Sequence, residues 1–170
     1  MNIHDFYKPI YKMFDSSTPL SKDCGMLCNG ACCKDGTEER KGMLLFPGEE
    51  KFLYGKGFDI EESNWEYAGK KAYVLFCNGK CNREYRPLGC RIFPLTPLVT
   101  NDGSFKLVMN PLAKGICPLA RSLKPSQLEP DFTENARKAI NRIRKLKYGK
   151  EYIDMVSNIS EDFIKLQKNF

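Results

Sequence analysis

Eight cysteines, Cys24, Cys28, Cys32, Cys33, Cys77, Cys81, Cys90 and Cys117, are set into a chain of 170 residues. They constrain folding more than any other feature, because crowded thiols must be cross-linked, bound to metal or kept apart. The opening Met1-Asn-Ile-His-Asp-Phe-Tyr-Lys-Pro-Ile has neither the apolar run nor the small-residue cleavage site of an export leader. Nor is there an uninterrupted apolar stretch of about 18 residues, the length a spanning helix needs. The expectation is a cytoplasmic chain without a membrane span. In that reducing setting thiols at one-turn spacing point to bound metal. The alternative is a secreted framework of four disulfides.

Within Cys24-Gly-Met-Leu-Cys28-Asn-Gly-Ala-Cys32-Cys33 the glycines let the backbone turn tightly enough for several sulfurs to converge. A tetrahedral Zn²⁺ takes four ligands, and an iron-sulphur cluster usually takes four cysteines, so eight sulfurs match two full sites. The neighbours Cys32 and Cys33 project differently and can serve separate centres, or one can ligate while the other supports it. The pairing of ligands stays open at this level. Lys22, Lys34, Lys80, Arg83, Arg86, Arg91, Lys114 and Arg121 lie within a few residues of a cysteine, where cations favour thiolate. The formal charge of +6 counts every thiol as neutral. With eight thiolates and two Zn²⁺ it falls to about +2.

Around the cysteines the pattern predicts an α+β domain. Ile3, Phe6, Tyr7, Ile10, Tyr11 and Phe14 recur at helical spacing, giving an amphipathic helix over 3–14, with Pro9 in its first turns or at a kink. Residues 21–41 read as a loop wrapped around metal. Met43 to Phe46 reads as a strand, and Pro47-Gly48-Glu49-Glu50 opens a short helix with acids facing its positive end. Tyr73 to Phe76 reads as a buried strand delivering Cys77, and Asn101-Asp102-Gly103-Ser104 joins 96–100 to 105–109 as a hairpin. The segment from Glu61 to Gly69 carries no assignable pattern. These strands suggest one small antiparallel sheet. Past Pro125, Phe132, Ala136, Ala139, Ile140, Ile143 and Leu146 form one stripe, and Tyr152, Val156, Ile159, Phe163, Leu166 and Phe170 another. The expected organisation is a metal-binding cysteine-cluster domain over 1–124 and a C-terminal helical hairpin over 125–170 packed on it.

The second cysteine group, Cys77-Asn-Gly-Lys-Cys81 followed by Tyr85-Arg86-Pro87-Leu-Gly-Cys90-Arg91, is more specific than spacing alone. It resembles the YkgJ-type cysteine-cluster family, a zinc- or iron-chelating domain with the pattern C-x-x-C-x-x-C-C, then C-x-x-Y-x-x-R-P-x-x-C, then a late Cys. Cys81, Tyr85, Pro87 and Cys90 fall on the second motif, with Arg86 directly before the proline, and Ile116-Cys117-Pro-Leu-Ala-Arg121 is similar to the last segment. The resemblance covers residues 24–121. The first motif departs from it, having three residues between cysteines where the family commonly has two, and Tyr85 follows Cys81 one residue late. The resemblance implies a metal ligand set drawn from all eight cysteines. The family includes flagellin lysine N-methylases, which opens a link to S-adenosylmethionine that no binding motif in this chain supports.

Other chemistries fit less well. A radical S-adenosylmethionine motif matches only through Cys24-x-x-x-Cys28, and Gly55-Lys-Gly57 lacks a phosphate-binding context. His4 is the single histidine, so Cys-His or Ser-His catalysis would need the N-terminus to supply its base. Glu84 is an acid near the cluster, read as a solvated charge. Arg137, Lys138, Arg142, Arg144, Lys145, Lys147 and Lys150 make one helix basic, but without interleaved aromatics for base stacking. The leading expectation is therefore an iron-sulphur or zinc protein serving redox or modification chemistry, with Arg86 and Arg91 supporting the thiolates. The rival is a zinc-stabilised, non-catalytic module whose C-terminal helices meet an acidic protein partner or nucleic acid, the nucleic acid being the weaker of these.

Overall fold

The structure is a computed structural model and describes residues 2–33, 42–77, 79 and 82–168. Cys81, Lys34, Lys80 and Phe170 therefore lie outside the described residues, as does part of the expected 21–41 loop.

Helix α1, Ile3–Lys12, begins where the Asn2 side chain accepts a hydrogen bond from His4 N, and turns Tyr7, Ile10 and Tyr11 inward. Pro9 sits inside this helix on its exposed side, so the carbonyl of exposed Asp5 that loses a partner can turn to water. Strands β1 (Gly42–Leu44), β2 (Asp59–Tyr67) and β3 (Lys70–Phe76) form an antiparallel sheet in the order β1-β3-β2. Met43 and Ile60 both stand opposite Leu75. The unassigned segment from Glu61 onward proves to be most of β2. Its residues are largely exposed and charged, and its pairing is irregular between Glu62 and Glu66, which erases the period-two signal. Helix α3, Glu49–Leu53, follows Gly48 as the acidic run predicts.

Helix α4, Leu88–Ile92, carries Cys90. A second, two-stranded antiparallel sheet pairs β4 (Leu95–Val99) with β5 (Phe105–Met109), the expected hairpin. Among the described residues the strands thus make two small sheets instead of one. Further along the chain come helices α5 (Pro118–Ser122), α6 (Pro130–Ile143) and α7 (Gly149–Lys168).

The last two helices were expected as a packed hairpin, but they part company. Gly149 lies so close under the end of α6 that a Cβ there would meet Ile143 O at 2.0 Å, and Tyr148 before it has a positive φ of 66°. From this tight corner α7 runs across β4 and β2, where Val99 N donates to Ser157 Oγ at 2.9 Å, and does not lie along α6. Helix α6 packs instead beside the end of α1, through Phe14 on Phe132 and an Asn135 Nδ2 bond to Met13 O. One continuous core joins these parts, from Tyr7 and Leu45 to Phe132 and Ile153. Among the described residues no helix is long and apolar enough to cross a membrane. The fold is α+β, with small antiparallel sheets between an N-terminal and a C-terminal helix.

Candidate metal centre and adjoining cavity

The first cysteine group folds as a one-turn helix, α2 (Gly25–Cys28), followed by a reversal. Asp23 Oδ1 accepts from Gly25 N, and Asn29 and Gly30 both take left-handed backbone (φ 52° and 67°). This brings the chain back so that Cys33 N bonds Gly30 O at 2.8 Å, presenting Cys32 and Cys33 beside the turn they came from.

Cys117 arrives from a distant part of the sequence. Its N–H bonds Ala113 O at 2.7 Å, at the end of the 3-10 turn Pro111–Gly115, and the cysteine caps α5. Cys24, Cys28, Cys32 and Cys117 together wall one small pocket, floored by Phe93, Pro94 and Leu119. Cys117 is buried, Cys24 and Cys28 are half-buried, and Cys32 reaches solvent.

The remaining described cysteines face a different space. Cys33, Cys77 and Cys90, with Cys32 at the boundary, line a second and larger cavity of about 410 Å³. Cys77 follows the end of β3, while Cys90 sits on α4. Gly79 fixes how near the second cysteine segment comes to the first. Its φ is 80°, and a Cβ there would lie 2.5 Å from the carbonyl oxygen of Cys33. Only a residue without a side chain permits that approach.

The electrostatics are those of crowded thiols. Burial pushes the Cys24 thiol up, and Asp23, Cys117 and Cys28 push the same way, so anionic charge there is unfavourable unless a cation offsets it. The sulfurs of Cys32 and Cys33 lie 3.9 Å apart, far longer than an S–S bond. With Cys32 as the donor, that hydrogen bond raises the Cys32 thiol and lowers Cys33 to about 6, helped by the positive charge of Arg86.

Arg91 acts on the backbone. It is 7% exposed, and its guanidinium donates to four carbonyls: Arg86 O at 2.7 Å, Arg83 O at 2.7 Å, Glu84 O at 2.8 Å and Tyr11 O at 3.2 Å. It also stacks 4.2 Å from the centre of the Tyr11 ring. What it positions is the turn between Asn82 and Pro87 that leads to Cys90, while Glu84 itself is exposed.

Glu49 is the residue that sequence reasoning missed. It reads locally as one of two acids at a helix start, yet it has no exposed surface. Its carboxylate accepts from Tyr11 Oη and Leu88 N on one oxygen and from Phe46 N on the other. Burial pushes its carboxyl up to about 7, against the opposing pull of those donors and of Arg91. Glu49 and Arg91 meet on Tyr11, so α1, α3 and the start of α4 are held by one polar knot. A local acidic pattern cannot reveal partners about 40 residues away; only the apolar neighbours Phe46 and Phe52 hint at burial.

The donor set fits a soft or borderline metal, being thiols only, with His4 placed on α1 against Phe52. Among the described residues, no three Cys, His, Asp or Glu side chains are gathered closely enough to hold a metal ion. The sulfurs share pockets, but not yet a coordination sphere. No protein-family model, curated protein or solved structure matches this chain.

Proposed function

We propose that this is a metal-binding cysteine-cluster protein in which Cys24, Cys28, Cys32 and Cys117 form one four-thiolate site. Cys33, Cys77 and Cys90, with Cys81 between them in sequence, form the donor set of a second. The observation that carries this reading is the meeting of Cys117 with Cys24, Cys28 and Cys32 around one pocket, from segments far apart in the chain. Thiols brought together across such a distance raise each other's cost of ionisation, and a bound cation reverses that cost. Metal binding releases the thiol protons and draws the sulfurs inward, so side chains that share a pocket without touching suit a site completed by its ion.

All-sulfur ligation suits iron-sulphur clusters and zinc alike. We favour an iron-sulphur centre serving redox or modification chemistry in the cytoplasm, in line with the resemblance to the YkgJ-type family. Such a centre would supply electron transfer when bound, while this chain's own residues hold and shield it. S-adenosylmethionine has no residue pattern here to receive it and is not part of the reading. The rival, a zinc-stabilised binding module, draws on the exposed basic side chains of Arg137, Lys138, Arg142, Lys145 and Lys147 at α6 and beyond.

Anaerobic purification followed by metal and acid-labile sulfide analysis and an optical spectrum tests this. A brown protein with iron and sulfide is expected, and Cys117→Ser should lower the metal content. A colourless protein with stoichiometric zinc would favour the binding module. A metal-free protein with four native disulfides by mass would overturn both.

A further inference from the structure

The positive charge of the chain is gathered in one place. From Asn135 to Lys150 stand seven cations, Arg137, Lys138, Arg142, Arg144, Lys145, Lys147 and Lys150, and no Asp or Glu. The chain has 27 Lys and Arg against 21 Asp and Glu, so outside this stretch the balance is 20 against 21, close to neutral. The fold bends most of that charge into the corner between α6 and α7, where Leu146 N bonds Ile143 O and Gly149 N bonds Leu146 O, each at 2.9 Å. Arg142, Lys145, Lys147 and Lys150 are exposed there. Among the described residues, the salt bridges of this stretch are those of Arg137 and Lys138 to Glu134, at its other end, and Glu151 follows at the start of α7. Tertiary structure adds the exposed Lys70, from the start of β3. Its ammonium stands 5.5 Å from the centre of the Tyr148 ring, and that of Lys147 stands 5.0 Å from the same ring. Arg144 lies over Phe105 and donates to Gly103 O at 2.6 Å, which pins the corner to the β4–β5 hairpin.

Cations concentrated without interspersed acids fit a polyanion. Sequence alone ranks an acidic protein above nucleic acid here, and the surface of the corner reverses that order. Protein interfaces form around an apolar centre and are depleted in Lys, yet none of the exposed large apolar side chains among the described residues lies in this stretch. Nucleic-acid interfaces are more polar and far more positive. The Tyr148 and Phe105 rings already carry cations, so they give no platform for stacked bases, and the phosphates are what the corner can hold. We infer that the α6–α7 corner, with Lys70, binds the phosphate backbone of double-stranded nucleic acid without reading its bases. This requires no metal, because no cysteine belongs to the surface.

The test is fluorescence anisotropy of the purified full chain with labelled DNA duplexes of about 20 base pairs, starting near 20 mM salt, with metal content measured on the same sample. Binding is expected, with log affinity falling against log salt at a slope of about −3 to −5, and with two unrelated sequences bound within about twofold of each other. Reversing Arg142→Glu and Lys145→Glu together should weaken binding about tenfold or more, while the exposed pair Lys8→Glu and Lys51→Glu, an equal change of charge, should weaken it no more than about twofold. No binding at low salt, a slope shallower than about −1, or equal losses in the two double variants would overturn the inference. So would tenfold discrimination between the two sequences, or polyglutamate bound as tightly as the duplex. If the corner variant fails to fold, amide shifts in the native protein on adding duplex decide: changes centred on 142–150 and Lys70 support the site, and changes centred elsewhere overturn it. Metal loading without duplex binding would refute this surface alone, whereas duplex binding without metal would refute only the metal centre.

Discussion

Glu49 and Arg91 are opposite charges buried for the same task, to hold turns of backbone in place. Glu49 is ordinarily a group of pKa 4.5, and burial raises it to about 7 in the fold. The folded chain therefore holds that proton more tightly than the unfolded one. The resulting stabilisation is full below about pH 4.5 and is lost as the pH rises through about 7, a span on the order of 3 kcal/mol. Glu49→Gln cannot ionise, so its stability relative to the native chain should improve from pH 5 to about pH 7 and level off above that, as read by urea unfolding at each pH. A difference independent of pH would show that Glu49 does not titrate in this window. For Arg91, the fork geometry matters more than the charge. Arg91→Lys keeps the charge but cannot span the carbonyls of Arg83, Glu84 and Arg86, and leaving buried acceptors unmet costs about 3 kcal/mol. Its thermal midpoint should fall, and its affinity for metal with it, since Cys90 stands beside the turn those bonds shape. Neither role is legible locally, because an acid at a helix start and an arginine beside a cysteine look alike whether buried or exposed.

At the scale of elements, the long helices α1, α6 and α7 and the start of α3 were legible, while the short helices α2, α4 and α5 and the edge strand β2 were not. The stripes Tyr7, Ile10, Tyr11 and Phe132, Ala136, Ile140 mark faces that are buried, because apolar burial imposes the helical period directly on the sequence. Strand β2 is mostly solvated on both faces, so nothing in the folded state selects an alternating pattern along it. The divergence of α6 and α7 was also hidden. It depends on a single close approach at Gly149, which composition reads only as a helix break. The cysteine segments depend on a similar contact at Gly79. Gly79→Val would press a branched side chain into the carbonyl of Cys33 and meet a positive φ, both unfavourable. We expect it to lower stability by roughly 1 to 3 kcal/mol and to reduce metal content more than a change such as Gly103→Ala, whose added Cβ meets open space. Equal metal content in the two variants would show that the contact between the cysteine segments is incidental.

Across the whole molecule, the seven described cysteines line two pockets beside a continuous core whose two sheets and C-terminal helix also wall the apolar cavity. The grouping of thiols by type and approximate spacing could be read from the chain, while the partition could not. Cys117 joins the first group only because the hairpin of the second sheet and the turn after it return the chain to α2, a consequence of tertiary packing. Cys32 and Cys33, adjacent in sequence, open toward the two pockets, Cys32 reaching both. Their sulfurs nevertheless lie only 3.9 Å apart, so the two neighbours stay in contact where the pockets meet.

The central claim is that these thiols are ligands, and X-ray absorption at the edge of the bound metal tests it most directly. In the protein purified without oxygen, a first shell of sulfur alone at about 2.3 Å is expected, with about four sulfurs per metal. A further iron-iron distance would identify a cluster. Cys24→Ser and Cys117→Ser should each remove metal or replace a sulfur by oxygen in that shell. A first shell of nitrogen and oxygen, unchanged by either substitution, would contradict ligation by the cysteines.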